Sequence, residues 1–432
     1  MPQPVPAATV DAVAETGGHS FARLLADRNI RRLWTSQACT GAGESLGQIA
    51  MPLLVYDLTE SARMVGLIAL LLIGPRVIFA PICGLLADIL DRLRIMISAD
   101  ALRMVVALMI PLTESIWQLG VLAVVYALGN SLGRPAEMAA VPAVAGADRL
   151  VPTLSLMQVS NGVIRIVVPA AGAALIAVLG SGPVFWVQAV FFAASIVVLR
   201  HLRIPREAIP EGWQLSGRAL VRRASREMWA GVAAIGRIPI VRGITASEAL
   251  HQLVVAAMIV AGVLYTQETL DLGGRAEAAF ALMTTSLSAG AVFGALIAHR
   301  IERRLGRPTM MAIGYLAPFF LTIIVFIPPM PVVYVACVLF GVLDALAVIS
   351  FQAYLAEAVP EDLRGRVFAA WGAIVSLSAA IFLYLYGYVA EWLGAPTTFL
   401  VSGLIVGIGG PALLYITGAI ASVRGERVKV AD

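Results

Sequence analysis

Twelve apolar stretches follow one another along the chain, each long enough to cross a hydrocarbon layer about 30 Å thick as a single helix. They cover residues 33–58, 64–87, 95–113, 117–145, 151–179 and 184–202, then 240–266, 276–298, 310–328, 332–358, 367–393 and 397–420. Only short polar breaks part most of them. What is left cannot make a water-facing surface, because 13% of residues are charged and 59% hydrophobic. Soluble domains carry about 25% charged residues. Soluble enzymes, collagen-like chains, disulfide scaffolds and disordered chains are thereby excluded. The expected fold class is an all-α membrane protein with twelve transmembrane helices.

Arginine placement tests that count. With both termini cytoplasmic, the inner segments hold Arg23, Arg28, Arg31, Arg32, Arg92, Arg94 and Arg149. They also hold a run from Arg200 to Arg242, then Arg300, Arg303, Arg304, Arg307, Arg364, Arg366, Arg424, Arg427 and Lys429. Outer loops keep only Arg63 and Arg275, beside Asp57, Glu60, Glu114, Glu268, Asp271, Glu277 and Glu391. This is the asymmetry of the positive-inside rule, and adding or dropping one span would scramble it. The expectation is a multi-pass protein of the cell inner (plasma) membrane.

Residues 1–20 are rich in Pro, Ala and Gly and read as a disordered tail, with no basic segment leading into a short apolar core as in a signal peptide. Residues 21–202 then form an N-terminal six-helix bundle, 203–239 a cytoplasmic linker, 240–420 a C-terminal six-helix bundle and 421–432 a cytoplasmic tail. Within the linker, Leu220, Met228, Trp229 and Val232 fall on one side of a helix and Arg218, Arg222, Arg223 and Arg226 largely elsewhere, so an amphipathic helix is expected at the inner leaflet. Cys39, Cys83 and Cys337 lie scattered in apolar runs and read as small hydrophobes.

The halves echo each other. LADILDRLRIM (86–96) corresponds to IAHRIERRLGR (297–307), VAGADRLVPT (144–153) to AVPEDLRGRV (358–367), and VLGSGPVFWV (178–187) to WLGAPTTFLV (392–401). Two six-helix units in the same orientation describe parallel repeats about an axis along the membrane normal, an architecture of transporters with a midplane site open alternately to each side.

In hydrocarbon an ionisable side chain costs at least ~2.5–3.5 kcal/mol, so each one at depth is a functional candidate. Glu44 follows Arg32 by about 18 Å of helix, and Arg76 reaches a similar depth from the opposite direction. Arg134, Glu137 and Arg165 also point to the interior of the N-terminal half. Burial and a neighbouring arginine act oppositely on a carboxylate's hold on a proton. Glu44 therefore reads either as a proton-coupling carboxylate or as a static ion pair with Arg76. Arg134 and Arg165 read as receptors for an anionic group of a substrate or as structural partners of Glu137 and Glu44. In the other half Glu248 and His251 share a helix face, and Asp344 sits mid-span as a second proton-coupling candidate. They could form a relay or a satisfied pair. Phe351, Tyr354, Trp371, Tyr384 and Tyr388 are candidates to line a lipophilic cavity or to pack the core.

Several segments resemble a known family. GLLADILDRLR (84–94) resembles the loop signature of the major facilitator superfamily between its second and third helices. RRLW (31–34), GES (43–45), IAMPLLVYDLT (49–59), GPRVIFAPICGLLAD (74–88), SADALRMV (98–105) and VPEDLRGRVF (359–368) resemble its drug-efflux branch, which includes macrolide and enterobactin exporters. The chain departs from the family where Ile89 follows Asp88, where Asp91 and Leu93 replace the usual Gly and basic residue, and in VPAAGA (168–173), which keeps Pro169 and Gly172 of an antiporter signature but lacks two glycines. The resemblance implies the major facilitator fold. It also implies a cytoplasmic gating latch of Gly84, Asp88, Asp91, Arg92, Arg94, Asp100 and Arg103, with Arg364, Gly365 and Arg366 as the matching part of the other half.

The function expected on these grounds is secondary active export of an amphipathic small molecule, such as an antibiotic or siderophore, against proton entry. Uptake or lysolipid movement on the same fold, and a non-transporting receptor or assembly partner, remain alternatives. No Walker loop, G-x-S-x-G, H-E-x-x-H pair or nucleic-acid module occurs, so neither an enzyme, a metal, a cofactor nor a nucleic-acid partner is expected. The expected partners are the amphipathic substrate, protons and membrane lipid, with the protein monomeric.

Overall fold

The computed structural model describes residues 17–146, 149–204, 217–270, 272, 275–327 and 329–417. Most of the expected N-terminal tail, the C-terminal tail and linker residues 205–216 lie outside the described residues. A short helix, α1 (Gly17–Ala26), starts inside the segment read as tail. Six long helices follow: α2 (Arg28–Thr59), α3 (Ala62–Ile89), α4 (Arg92–Met109), α5 (Ile116–Ala145), α6 (Leu150–Leu179) and α7 (Val184–Leu199). The linker helix α8 (Gly217–Arg237) leads into a second set of α9 (Pro239–Thr269), α10 (Ala276–Leu305), α11 (Arg307–Phe326), α12 (Met330–Ala358), α13 (Glu361–Leu393) and α14 (Ala395–Ile416).

Nine helices among the described residues are long and apolar enough to cross a membrane. With α2, α3 and the 16-residue α7, each half supplies six spans. The middle of α2 is the less apolar because Thr35, Ser36, Gln37, Thr40, Glu44, Ser45 and Gln48 crowd it, a polarity that is tolerated inside the bundle. The first and last described residues, Gly17 and Thr417, lie on one side of the twelve-span bundle, called here the terminal face; the opposite side is the distal face.

Local chemistry sets the helix ends. The Asp27 carboxylate accepts from the Asn29 and Ile30 amides at 2.9 and 3.3 Å, which starts α2 five residues before its apolar stretch. At the other end Glu60 takes a left-handed conformation (φ 48°), and the Glu60–Ser61 turn swings the chain directly into α3. Arg149 reaches Asp27 at 2.9 Å, tying α1, α2 and α6 together at the terminal face. That Arg149 hydrogen bond, followed by the capping amides, holds the Asp27 carboxyl below its ordinary range. Its stabilisation is therefore fully present above about pH 4 and is lost as pH falls through the lowered value. Asp27→Ala is expected to lower stability by about 1 kcal/mol at neutral pH. In thermal unfolding scans the gap from wild type stays constant above about pH 5 and shrinks below pH 4; a gap that widens on acidification contradicts the assignment.

The two halves meet along α3 against α13 and α6 against α10. At the distal end they are also bonded. Tyr56 donates to Glu268, and Glu391 accepts from Ser61 at 2.7 Å and from the Arg63 amide at 3.0 Å while pairing with the Arg63 guanidinium. Toward the terminal face, Arg76, Ile78, Phe79, Arg134, Asn161 and Arg165 are exposed. These bonds between the halves thus cluster at the distal end, while the side chains named toward the terminal face are exposed. The linker helix α8 packs Met228, Val232, Ala234 and Ile235 against Leu363, Val367 and Ala370 of α13, while Trp229, expected on that face, is exposed.

Candidate functional site

Arg103, on α4, is fully buried, a position that hydrocarbon forbids without partners. Its Nη1 donates to Glu44 Oε1 at 2.8 Å and to Asn130 Oδ1 at 3.0 Å. Its Nη2 meets Asp100 Oδ1 at 2.5 Å and Glu137 Oε1 at 3.5 Å. The guanidinium lies over the Phe192 ring, 5.2 Å from its centroid. Ser195 and Thr40 donate to Asp100 at 2.6 and 3.4 Å. Room for the side chain comes from α5. A Cβ at Gly129 would stand 3.1 Å from Arg103 Cγ, and one at Gly133 would stand 3.0 Å from Nη2. The Gly129/Gly133 spacing therefore makes a slot for an arginine.

This arrangement revises the sequence reading. Glu44 pairs with Arg103 rather than Arg76. Asp100 and Arg103, expected among the latch charges, sit in the N-terminal half's interior, and each partner named above belongs to that half. The reason is depth: Arg103 follows Arg92 by about 16 Å of helix, too far to remain at the face. Of the cluster, only the Glu44 carboxylate is appreciably accessible, with its side chain 20% exposed. Arg76 is exposed and within Coulombic reach of Glu44, Arg103 and Arg134. Arg134 and Arg165 are exposed as well.

A second polar group occupies the equivalent helices of the other half. His251 Nε2, on α9, lies 3.1 Å from Asp344 Oδ1 on α12, and its ring stacks on Phe340 at 6.1 Å. Glu248 is buried one turn before His251, within Coulombic reach of both. The three candidates thus meet in one place, which the sequence placed on one face for Glu248 and His251 only.

Two of the remaining gating candidates make local contacts at the terminal face. Asp91 caps α4 through the Leu93 and Arg94 amides at 3.0 and 3.3 Å, with Arg94 itself exposed and 4.0 Å from the carboxylate. Arg92 donates to the Ala139 carbonyl of α5 at 3.3 Å. Gly365 and Arg366 are exposed on α13. The surroundings of Gly84 and the side chains of Asp88 and Arg364 lie outside what the structure describes. In the C-terminal half the charges that brace the corresponding turn are Arg307 with Glu302 at 2.7 Å and Glu357 at 2.5 Å, a set that the sequence reading missed. Tyr384 is bonded to Tyr388 at 3.1 Å, and Arg63 stacks on Tyr388 at 5.0 Å, which puts both tyrosines on the distal α3–α13 seam. Phe351 packs on Tyr315, Tyr354 on Arg307, and Trp371 on Phe368.

The sequence matches the Major Facilitator Superfamily over residues 33–369 and again over 253–428. The chain belongs to the major facilitator superfamily. This facilitator is a multi-pass membrane transporter and not an enzyme. It is 26% identical to the multidrug efflux pump Tap of Mycolicibacterium fortuitum, over 87% of this chain and 92% of that one. It is 23% identical to the macrolide efflux protein A of Streptococcus pyogenes, over the same shares. Among solved structures, the nucleoside transporter NupG superposes with a TM-score of 0.69 at 13% identity, covering 89% of this facilitator and 98% of that chain. A POT family transporter in complex with 5-aminolevulinic acid gives 0.72 at 12% identity, covering 91% and 96%. These two likenesses speak for the fold alone.

Proposed function

We propose that this facilitator exports an amphipathic small molecule by proton antiport, with the terminal face in the cytoplasm and the protein acting as a monomer in the cell's inner membrane. The observation that carries the reading is Glu44: a carboxylate that touches a buried guanidinium at 2.8 Å on one side and stays accessible on the other. Three carboxylates share one guanidinium in the cluster, and like charges this close are relieved by binding a proton. The ion-paired Glu44 belongs to the state open to the terminal face, which is ready to take substrate from the cytoplasm. When the halves rock and the distal seal opens, Glu44 meets the outer medium, takes a proton and releases Arg103. The efflux-pump relatives support the direction, and the arginine asymmetry between loops supports the orientation.

The test uses everted membrane vesicles energised by a pH gradient, with dansyl-labelled amphiphiles as probes. Wild type should accumulate a probe in a manner abolished by an uncoupler. Glu44→Gln should lose energised accumulation about tenfold or more while keeping downhill exchange, since the amide cannot take up a proton. Proton-driven accumulation retained in Glu44→Gln removes Glu44 from the coupling role.

A further inference from the structure

The buried cluster uses one of four arginines at membrane depth, and the other three are unaccounted for. Arg76, Arg134 and Arg165 are exposed, and among the described residues none of them forms a salt bridge. Bare in lipid, each would cost at least ~2.5–3.5 kcal/mol. Their neighbours within the N-terminal half are charged or polar instead. Arg76 senses the charges of Glu44, Arg103 and Arg134. Arg165 belongs to a polar face of α6, with Gln158 and Asn161 exposed at helical spacing beside it. The opposite face of α6 exposes only apolar side chains such as Val159, Val163 and Val167, which is the lipid side.

Register fixes the level of Arg165. Asn161 Oδ1 lies 3.7 Å from where Gly41 of α2 would carry a Cβ. The two helices run in the same direction, so Arg165, one turn past Asn161, stands level with Glu44, one turn past Gly41. On the side taken here as the wall of a cleft between the halves, four guanidiniums against the carboxylates of Glu44, Asp100 and Glu137 leave one positive charge in excess. In the C-terminal half, α9 and α12 carry the opposite sign. Asp344 and His251 have side chains 25% and 15% exposed, with Glu248 beside them.

We infer that the transported molecule carries an anionic group, such as a carboxylate, sulfonate or phosphate, which docks on Arg76, Arg134 and Arg165, while the acidic C-terminal wall tolerates a cationic group elsewhere on a zwitterion and disfavours a second anion. This rests on the export reading only in taking the cleft as the substrate's path. Planar guanidinium forks bind such anions through paired, charge-assisted hydrogen bonds. A purely cationic amphiphile meets three exposed like charges on one wall.

Binding to the purified full-length protein in detergent tests the inference without requiring transport. Four probes share one fluorophore: dansylglycine (anionic), Nε-dansyl-lysine (zwitterionic), dansylamide (neutral) and dansylcadaverine (cationic). Dansylglycine and Nε-dansyl-lysine should bind more tightly than dansylamide, and dansylcadaverine more weakly. Arg134→Gln and Arg165→Gln should each lower the dansylglycine-to-dansylamide affinity ratio about tenfold. Arg165→Lys should restore part of it, and because the readout is a ratio, a loss of folded protein does not imitate the effect. Cation binding equal to anion binding, an unaltered ratio in both variants, or no binding of either carboxylate-bearing probe overturns the inference. The export reading stands or falls separately, on energised accumulation in vesicles.

Discussion

Arg103→Ala should destabilise the folded protein by about 3–5 kcal/mol, the usual penalty for removing one partner of a buried ion pair. The variant leaves Asp100 and Glu137 buried without the guanidinium and opens a cavity beside Phe192, lined by Gly129 and Gly133. Thermal unfolding in detergent should show the midpoint falling by about 5 °C or more. Arg103→Lys should fall between, because an ammonium keeps the charge but cannot span Glu44, Asn130, Asp100 and Glu137 with one fork. Adding Asp100→Asn and Glu137→Gln to Arg103→Ala should recover much of the loss, since the orphaned charges are then gone. A melting curve for Arg103→Ala that overlays wild type would mean that water already screens the cluster.

The same cluster marks the boundary of what the sequence discloses. Span number, loop polarity and the six-plus-six repeat are properties of position along the chain, so twelve apolar stretches and a one-sided arginine distribution suffice for them. Depth is also readable, because rise per residue converts sequence separation into height. Azimuth is not. Arg76 and Arg103 both come to the level of Glu44, and only helix packing decides that Arg103 is the partner. Two cues were present without a way to join them: Asp100 and Arg103 at i, i+3 in the middle of α4, and the Gly129/Gly133 pair on α5 that makes the slot. The C-terminal half tells the same story. Glu248 and His251 are neighbours by spacing, whereas Asp344 joins them only because α12 packs beside α9, as α5 packs beside α2. Helix starts such as Arg28 escape an apolar count, because capping by Asp27 extends the helix into polar sequence.

Gly66→Val should disable transport without unfolding the protein, and the contrast with Gly290→Val explains why. At both glycines a Cβ would come closer than 3.0 Å to a backbone carbonyl oxygen of a facing helix, Leu383 for Gly66 and Val338 for Gly290. Gly290 and Val338 belong to the same half, on α10 and α12, so the overlap can be relieved only by prising apart a bundle core. Gly290→Val should therefore appear as lost stability. Gly66 and Leu383 belong to different halves, on α3 and α13 at the distal seam, where Gly387 also packs against Ala62 and Arg63. That overlap vanishes when the halves rock apart distally. A clash worth about 1–3 kcal/mol is then spent on conformation, shifting the ratio of distally closed to distally open molecules roughly 5- to 150-fold. Spin labels across the α3–α13 seam should report a longer distance in Gly66→Val, energised accumulation should fall about tenfold or more, and the melting midpoint should stay near that of wild type. A lowered midpoint with an unchanged seam distance would show that the α3–α13 contact is a fixed part of the fold and not a gate.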